Sequence, residues 1–292
     1  MKSLCAVLFA CLLCGCAAFN YTEKDAPLAL TQVPQRHPKP KIAVVLGSGG
    51  PRGYAHIGVM RVLEDAGIYP DLIVGSSVGA LLGTFWASGM SAKDIEAKAL
   101  AGGPTTLFDF NPFADRGVIV GQRLQDYVAT ELKHPQLEQL RRPLVVVATE
   151  RQNKEPRYFI TGNAAVAVRA SSAIPRIFSP VGINGVEYED GDESLPVAVQ
   201  AARDAGADFI IAVDVAAHPA ATPATAPPGW TARDRTRRQR IDPEVAKADF
   251  LIHPDMGYYA RPTQDYFVFA LQTGYETARR LLPALQAKLA HK

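Results

Sequence analysis

The stretch Asp71-Leu-Ile-Val-Gly-Ser-Ser-Val-Gly-Ala80 constrains the fold more than any other part of this 292-residue chain. Residues 71–74 form a short apolar run that fits a buried strand, and Leu81, Leu82, Phe85 and Trp86 then follow with helical spacing. Between the two lies Gly75-Ser76-Ser77-Val78-Gly79, a G-x-S-x-G pentapeptide. A strand that turns directly into a helix over such a pentapeptide describes a nucleophile elbow. Gly75 and Gly79 stand where backbone must pass close to backbone and a Cβ would collide. Ser77 is then the apex, its hydroxyl projecting above a helix N-terminus that favours developing negative charge.

A second strand-loop-helix unit precedes it. Ile42-Ala-Val-Val-Leu46 is a continuous apolar run between Pro40 and Gly47, as expected of a strand buried on both faces. Gly47-Ser-Gly-Gly-Pro-Arg-Gly53 follows, then a helix with Ile57, Met60, Val62 and Leu63 on its inner side. Such a loop offers backbone N–H groups to an anion or an oxyanion. A P-loop is excluded because Gly-Lys-Ser/Thr is absent, and a dinucleotide fingerprint because Arg52 stands in place of its third glycine.

Further along, helices are predicted over 91–100, capped by Ser91, over 121–132 and over 164–173, the last ended by Pro175. Strands are expected over 143–149, 157–160, 209–214 and 250–252, with a hairpin turning at Asn184-Gly185. Phe108, Phe110 and Phe113 are candidates for the lining of an acyl pocket or for core plugs. Residues 216–240, rich first in Ala, Pro and Thr and then in Arg, predict a loop excursion. Its arginines could meet anionic headgroups or simply face solvent. An amphipathic helix over 266–290 is expected to bend or break near Pro283. Strands alternating with helices imply an α/β domain over 41–292 with a mainly parallel sheet between helical layers, a three-layer sandwich.

The first forty residues have a different character. All four cysteines lie at positions 5, 11, 14 and 16, so the body can hold no disulfide framework and no cysteine metal site. Lys2, an apolar run over 4–13 and the small residues after it describe a signal segment over 1–15. Leu13-Cys14-Gly15-Cys16 resembles a bacterial lipobox, which makes Cys16 the lipidation site and 16–40 a proline-rich lipidated tether. By the same resemblance Ala17 points to an outer-membrane lipoprotein facing the periplasm. A formal charge of +2 gives no footprint for nucleic acid.

Gly47-Ser-Gly-Gly-Pro-Arg-Gly-Tyr-Ala-His-Ile-Gly-Val59, followed by Gly75-Ser-Ser-Val-Gly79, resembles the bacterial patatin-like phospholipases. Arg169-Ala-Ser-Ser-Ala-Ile-Pro-Arg-Ile-Phe178 and Asp190-Gly191 continue the likeness. The resemblance implies a patatin-like fold, a catalytic pair of Ser77 and Asp190, and an oxyanion loop in which Gly49 and Gly50 donate N–H groups. Arg52 would steady that loop or meet lipid phosphate. The substrate implied is the acyl ester of a membrane phospholipid or lysophospholipid, with no cofactor or metal. The triplet Asp190-Gly191-Asp192 departs from the family's Asp-Gly-Gly or Asp-Gly-Ala and adds a second carboxylate.

Two other readings stay open at this level. An α/β-hydrolase esterase would use a histidine base after the aspartate in chain order. His37, His56 and His134 precede Asp190 and His218 opens the proline-rich excursion, which leaves His253, C-terminal to Asp190 and directly after a predicted strand. A catalytically silent lipoprotein could use the same fold to bind lipid or a protein partner. Oligomeric state is not legible.

Overall fold

The structure, a computed structural model, describes residues 20–102, 106–132 and 136–291. Its centre is the strand β3 (Ile42–Leu46), paired in parallel with β4 (Leu72–Ser76) on one side and β9 (Phe209–Val213) on the other. β5 (Leu144–Glu150) lies beyond β4 and β10 (Phe250–Ile252) beyond β9, both parallel. These strands carry Val, Ile, Leu and Ala at almost every position because helices cover both faces.

Alternate residues of one strand serve opposite layers. Val44, Leu46, Ile73 and Val146 join the core beneath α1 (Tyr54–Asp65), α2 (Val78–Ser88) and α8 (Gln264–Ala290). α3 (Ala92–Ala101), α4 (Gln122–Glu131) and α5 (Ala164–Ser171) complete that layer. Ala43, Val45, Val74 and Val147 face the other way, toward α6 (Val199–Asp204) and Ile241 of α7 (Trp230–Val245). The expected three-layer α/β sandwich with a mainly parallel sheet is thus the observed architecture. α1 and α8 meet at glycines: a Cβ on Gly58 would strike the Leu271 carbonyl, and one on Gly274 the Ala55 carbonyl.

The antiparallel part of the sheet sits beyond β5. β6 (Pro156–Phe159) and β8 (Val186–Glu189) both pair with β5, β8 only at its last residues. β7 (Val181–Ile183) forms the expected hairpin with β8. Asn184 and Gly185 turn it with φ of 51° and 81°, the left-handed pair that a two-residue turn requires.

Three expectations need correction. Residues 20–40 are not a free tether: β1 (Asn20–Tyr21) pairs with β7, β2 (Ala29–Leu30) pairs with β6, and Val33 is buried. The hairpin strands leave edges whose backbone groups this segment satisfies, and such edges recruit extended chain. Cys16 and the signal segment lie outside the described residues, as does His134. The 216–240 excursion is only half irregular, since 230–245 is a sixteen-residue helix. Arg238 of that helix pairs with Asp214 at 2.5 Å and with Asp242 one turn on, so its charge is neutralised against the body. α8 continues through Pro283, held along its length against α1 and β10.

Candidate active site

Each element of the elbow follows from the sheet. β4 delivers Ser77 at its C-terminal end, where φ is 55° and ψ −123°, and α2 begins at the next residue. That left-handed φ is costly for a residue with a Cβ and persists only where the surroundings fix it. A Cβ on Gly75 would lie 2.5 Å from the Gly79 carbonyl oxygen, and one on Gly79 would strike the Leu46 carbonyl. The two glycines therefore let the turn close and let α2 start against β3. Ser77 N–H donates to Ser171 Oγ at 2.8 Å, and Ser171 in turn donates to the Val147 carbonyl at 2.6 Å. The apex is thus pinned to α5 and β5.

The second carboxylate-bearing loop arrives from β8. Asp190 sits just after Glu189, its N–H bonded to the Ala173 carbonyl at 3.0 Å and its carbonyl accepting from Thr149 Oγ1 at 2.8 Å. Gly191 follows because a Cβ there would lie 2.5 Å from the Val147 carbonyl oxygen. Ser77 Oγ donates to Asp190 Oδ2 at 2.7 Å, and the other oxygen accepts the Asp192 N–H at 2.8 Å. Asp190 is 1% exposed. Burial first, and then the charge of Asp192, push its pKa up to about 8. A carboxyl with that proton affinity can take a proton near neutral pH, which an ordinary aspartate does poorly.

The loop after β3 closes a third side. Gly47 N–H and Ser48 N–H are committed to the carbonyls of Val213 and Pro196. Those of Gly49 and Gly50 donate to no group among the described residues, and both glycines line the cavity that holds Ser77 and Asp190. Gly50 has φ of 53° and Gly53 packs against Val78 at the start of α2, so a side chain at either would disturb the loop. Arg52 donates to the Tyr258 carbonyl, which ties the loop to the segment after β10; it steadies the loop. His56, fully buried in α1, donates from Nε2 to the Gly47 carbonyl at 2.7 Å. Burial lowers its pKa to about 4, so it is a neutral strut. The whole opens into a cavity of about 660 Å³, walled partly by Trp230 and Tyr259.

The family described as patatin-like phospholipase matches residues 44–198, more than half of the chain. The chain belongs to the patatin-like phospholipase family. An NTE-family protein of Mycobacterium tuberculosis is 34% identical over 203 residues, covering 69% of this chain and 56% of the relative. The lysophospholipase nte1 of Aspergillus fumigatus is 29% identical over 179 residues, 60% of this chain and 12% of that one. The chain thus spans about half the length of its mycobacterial relative and a small part of the fungal one. Among solved structures, VipD of Legionella pneumophila superposes with a TM-score of 0.53 at 17% identity, over 90% of this chain and 71% of VipD. That likeness concerns the fold.

For a member of this family, the placement of the candidate residues separates cleanly. Ser77, Asp190, Gly49, Gly50 and Arg52 line one cavity. His253 does not join them: its Nδ1 lies 3.4 Å from Asp214 Oδ2 and its ring packs edge-on against His218 at 4.8 Å. Asp214 beside it raises the pKa of His253. Phe108 packs edge-to-face on Phe178, whereas Phe110 and Phe113 face solvent, Phe113 with 91% of its surface exposed. None of the three lines the cavity. Sequence reasoning missed Ser171, Thr149, Ser48 and Arg237. Ser171 lay inside the Arg169–Phe178 motif and could have been suspected, whereas Arg237 stood as one of a run of arginines expected to meet headgroups or solvent, and nothing in the sequence singled it out.

Proposed function

We propose that this protein is a lipid acyl hydrolase that cleaves fatty-acyl esters of phospholipids or lysophospholipids through an acyl-Ser77 intermediate. The observation that carries the reading is the 2.7 Å hydrogen bond from Ser77 Oγ to a buried Asp190 carboxyl of raised pKa, at the apex of an elbow. In its ionised form Asp190 takes the hydroxyl proton as Ser77 Oγ bonds to the ester carbonyl carbon. Gly49 and Gly50 N–H groups face the oxyanion that forms, a contribution of about 3 kcal/mol per donor in comparable sites. The carbonyl re-forms, the acyl C–O bond to the leaving alcohol breaks, and Asp190 returns its proton to that alcohol. Water then attacks the acyl-serine, giving its proton to Asp190, and the fatty acid leaves as Ser77 recovers the proton.

The fungal relative's name supports the lysophospholipase side of this reading, and the family supports a phospholipid substrate. The lipobox-like segment supports anchoring through acylated Cys16, which would hold the domain at the periplasmic face of the outer membrane. The test is direct. An alkyl fluorophosphonate should add one adduct to the Ser77 peptide, and membranes exposed to wild-type protein should gain free fatty acid that Ser77→Ala does not release. Full hydrolysis by Ser77→Ala would reject the reading.

A further inference from the structure

The triplet after β8 carries an aspartate where the family resemblance calls for glycine or alanine, and α7 carries an arginine that answers it. Arg237 donates from Nε to Asp192 Oδ1 at 2.7 Å, with Nη2 2.6 Å from the same oxygen. The same Nη2 reaches Ser48 O at 3.1 Å and Ser48 Oγ at 3.0 Å. Ser48 Oγ itself donates to Asp192 Oδ1. Asp192 N–H meanwhile donates to Asp190 Oδ1 at 2.8 Å. Three segments far apart in sequence are therefore knotted at one guanidinium: the loop that carries Gly49, the loop that carries Asp190, and a helix outside residues 44–198.

We propose that Arg237 is a positioning residue for the Ser77–Asp190 pair, bracing the Asp190 loop against the Gly49 loop and offsetting the Asp192 charge beside Asp190. The proposal rests on the dyad reading above. Arginine suits the place because its rigid planar fork holds several donors at fixed angles toward a carboxylate and a serine together, where a lysine offers a compact point charge on a flexible stem. It matters electrostatically because the charges that press on Asp190 from its own loop are both negative, and Arg237 is the cation bonded to one of them. Asp192 and Glu193 press on it from its own loop, and both raise its pKa. The Ser77 hydroxyl faces it from the elbow and lowers the pKa by hydrogen bonding. Arg52, Arg176 and Arg240 line the same cavity, and Asp214 stands beyond Arg237 at the end of β9. Burial alone would lower the pKa of Arg237, yet Asp192, then Asp214 and Asp190, hold it raised. It therefore stays charged throughout the range in which Asp190 titrates.

Removing the cation leaves Asp192 uncompensated and raises the proton affinity of Asp190. Removing the anion does the reverse. The experiment is the pH dependence of kcat/KM for a soluble activated acyl ester with full-length wild type, Arg237→Gln, Asp192→Asn and the double variant. Activity rises as Asp190 loses its proton, so Arg237→Gln should move that limb to higher pH by about one unit. At neutral pH that is about a tenfold loss. Asp192→Asn should move the limb to lower pH, and the double variant should return it toward wild type, because the two charges leave together. A structural brace alone would lower the rate without moving the limb, and the double variant would be no better than Arg237→Gln. Unmoved limbs in both single variants overturn the proposal, as does a double variant that stays with Arg237→Gln. If Arg237→Gln folds poorly, Asp192→Asn against Arg237→Lys carries the comparison, with only the former shifting the limb. Ser77→Ala and Asp190→Asn run alongside: activity retained there sinks the dyad itself, whereas inactive controls with unmoved limbs sink only the role of Arg237.

Discussion

Replacing Asp190 with asparagine separates two consequences of burying a carboxyl beside Ser77. Asparagine keeps the shape and can still accept the Asp192 N–H, and Ser77 Oγ can turn to accept from the new amide. What disappears is the ionisable group. The pKa of Asp190 rises from 3.8 to about 8 in the folded protein, chiefly through burial. The folded chain therefore holds a proton that the unfolded chain releases. The group's contribution is fully present below about pH 4 and is lost as pH rises toward about 8. At pH 7 the gap is roughly three units, or about 4 kcal/mol at most, at about 1.4 kcal/mol per unit. Part of that returns in the wild type through relaxation, and part is lost in the variant with weaker hydrogen bonds. Asp190→Asn should then be more stable than wild type at pH 7 by about 1–3 kcal/mol, a Tm gain of several degrees. The gain should vanish near pH 4 and grow toward pH 8. Hydrolysis of an activated ester by the same variant should fall about 10²- to 10⁴-fold. Thermal unfolding across pH 4–8, followed by circular dichroism alongside the rate assay, tests both. A stability difference of the opposite sign, or one flat with pH, would refute the argument that burial of this carboxyl sets its proton affinity.

Other outcomes follow from single contacts. Replacing His253 with Gln should leave kcat within a few-fold, because that ring faces Asp214 and His218; a collapse of steady-state rate would restore the triad. Ser171→Ala strips the acceptor from the buried Ser77 N–H and should destabilise the fold by about 1–3 kcal/mol while lowering kcat more than raising KM, as urea unfolding and kinetics would report. Gly58→Ala drives a Cβ into the backbone of α8 and should destabilise by about 1–3 kcal/mol or more, so an unchanged urea midpoint would contradict the α1–α8 packing. Cys16→Ser should end labelling of the expressed protein by fatty-acid analogues, and continued labelling would refute lipidation at that thiol.

Local chemistry made much of this protein legible from its residues in order. The run from Asp71 to Ala80 could only be a strand turning into a helix, because glycines fall where backbone meets backbone. Asn184-Gly185 specified a hairpin, and that hairpin ends at Asp190. The pairing of Ser77 with Asp190, 113 residues apart, was available only through resemblance; the sheet realises it by setting β8 against the end of β5. Other features belong to tertiary structure alone. Whether Asp192 faces solvent or a guanidinium depends on where α7 packs, and nothing in a run of arginines says which of them turns inward. The proline-rich segment looked like a tether because its own composition offers no reason to fold. Open edges of β6 and β7 supply that reason from elsewhere. The raised proton affinity of Asp190 likewise comes from burial that residues of the whole domain provide together. Turns, caps and strand faces are fixed by neighbours in sequence, whereas burial and charge pairing are fixed by neighbours in space, and a chain declares the second kind only once it is folded.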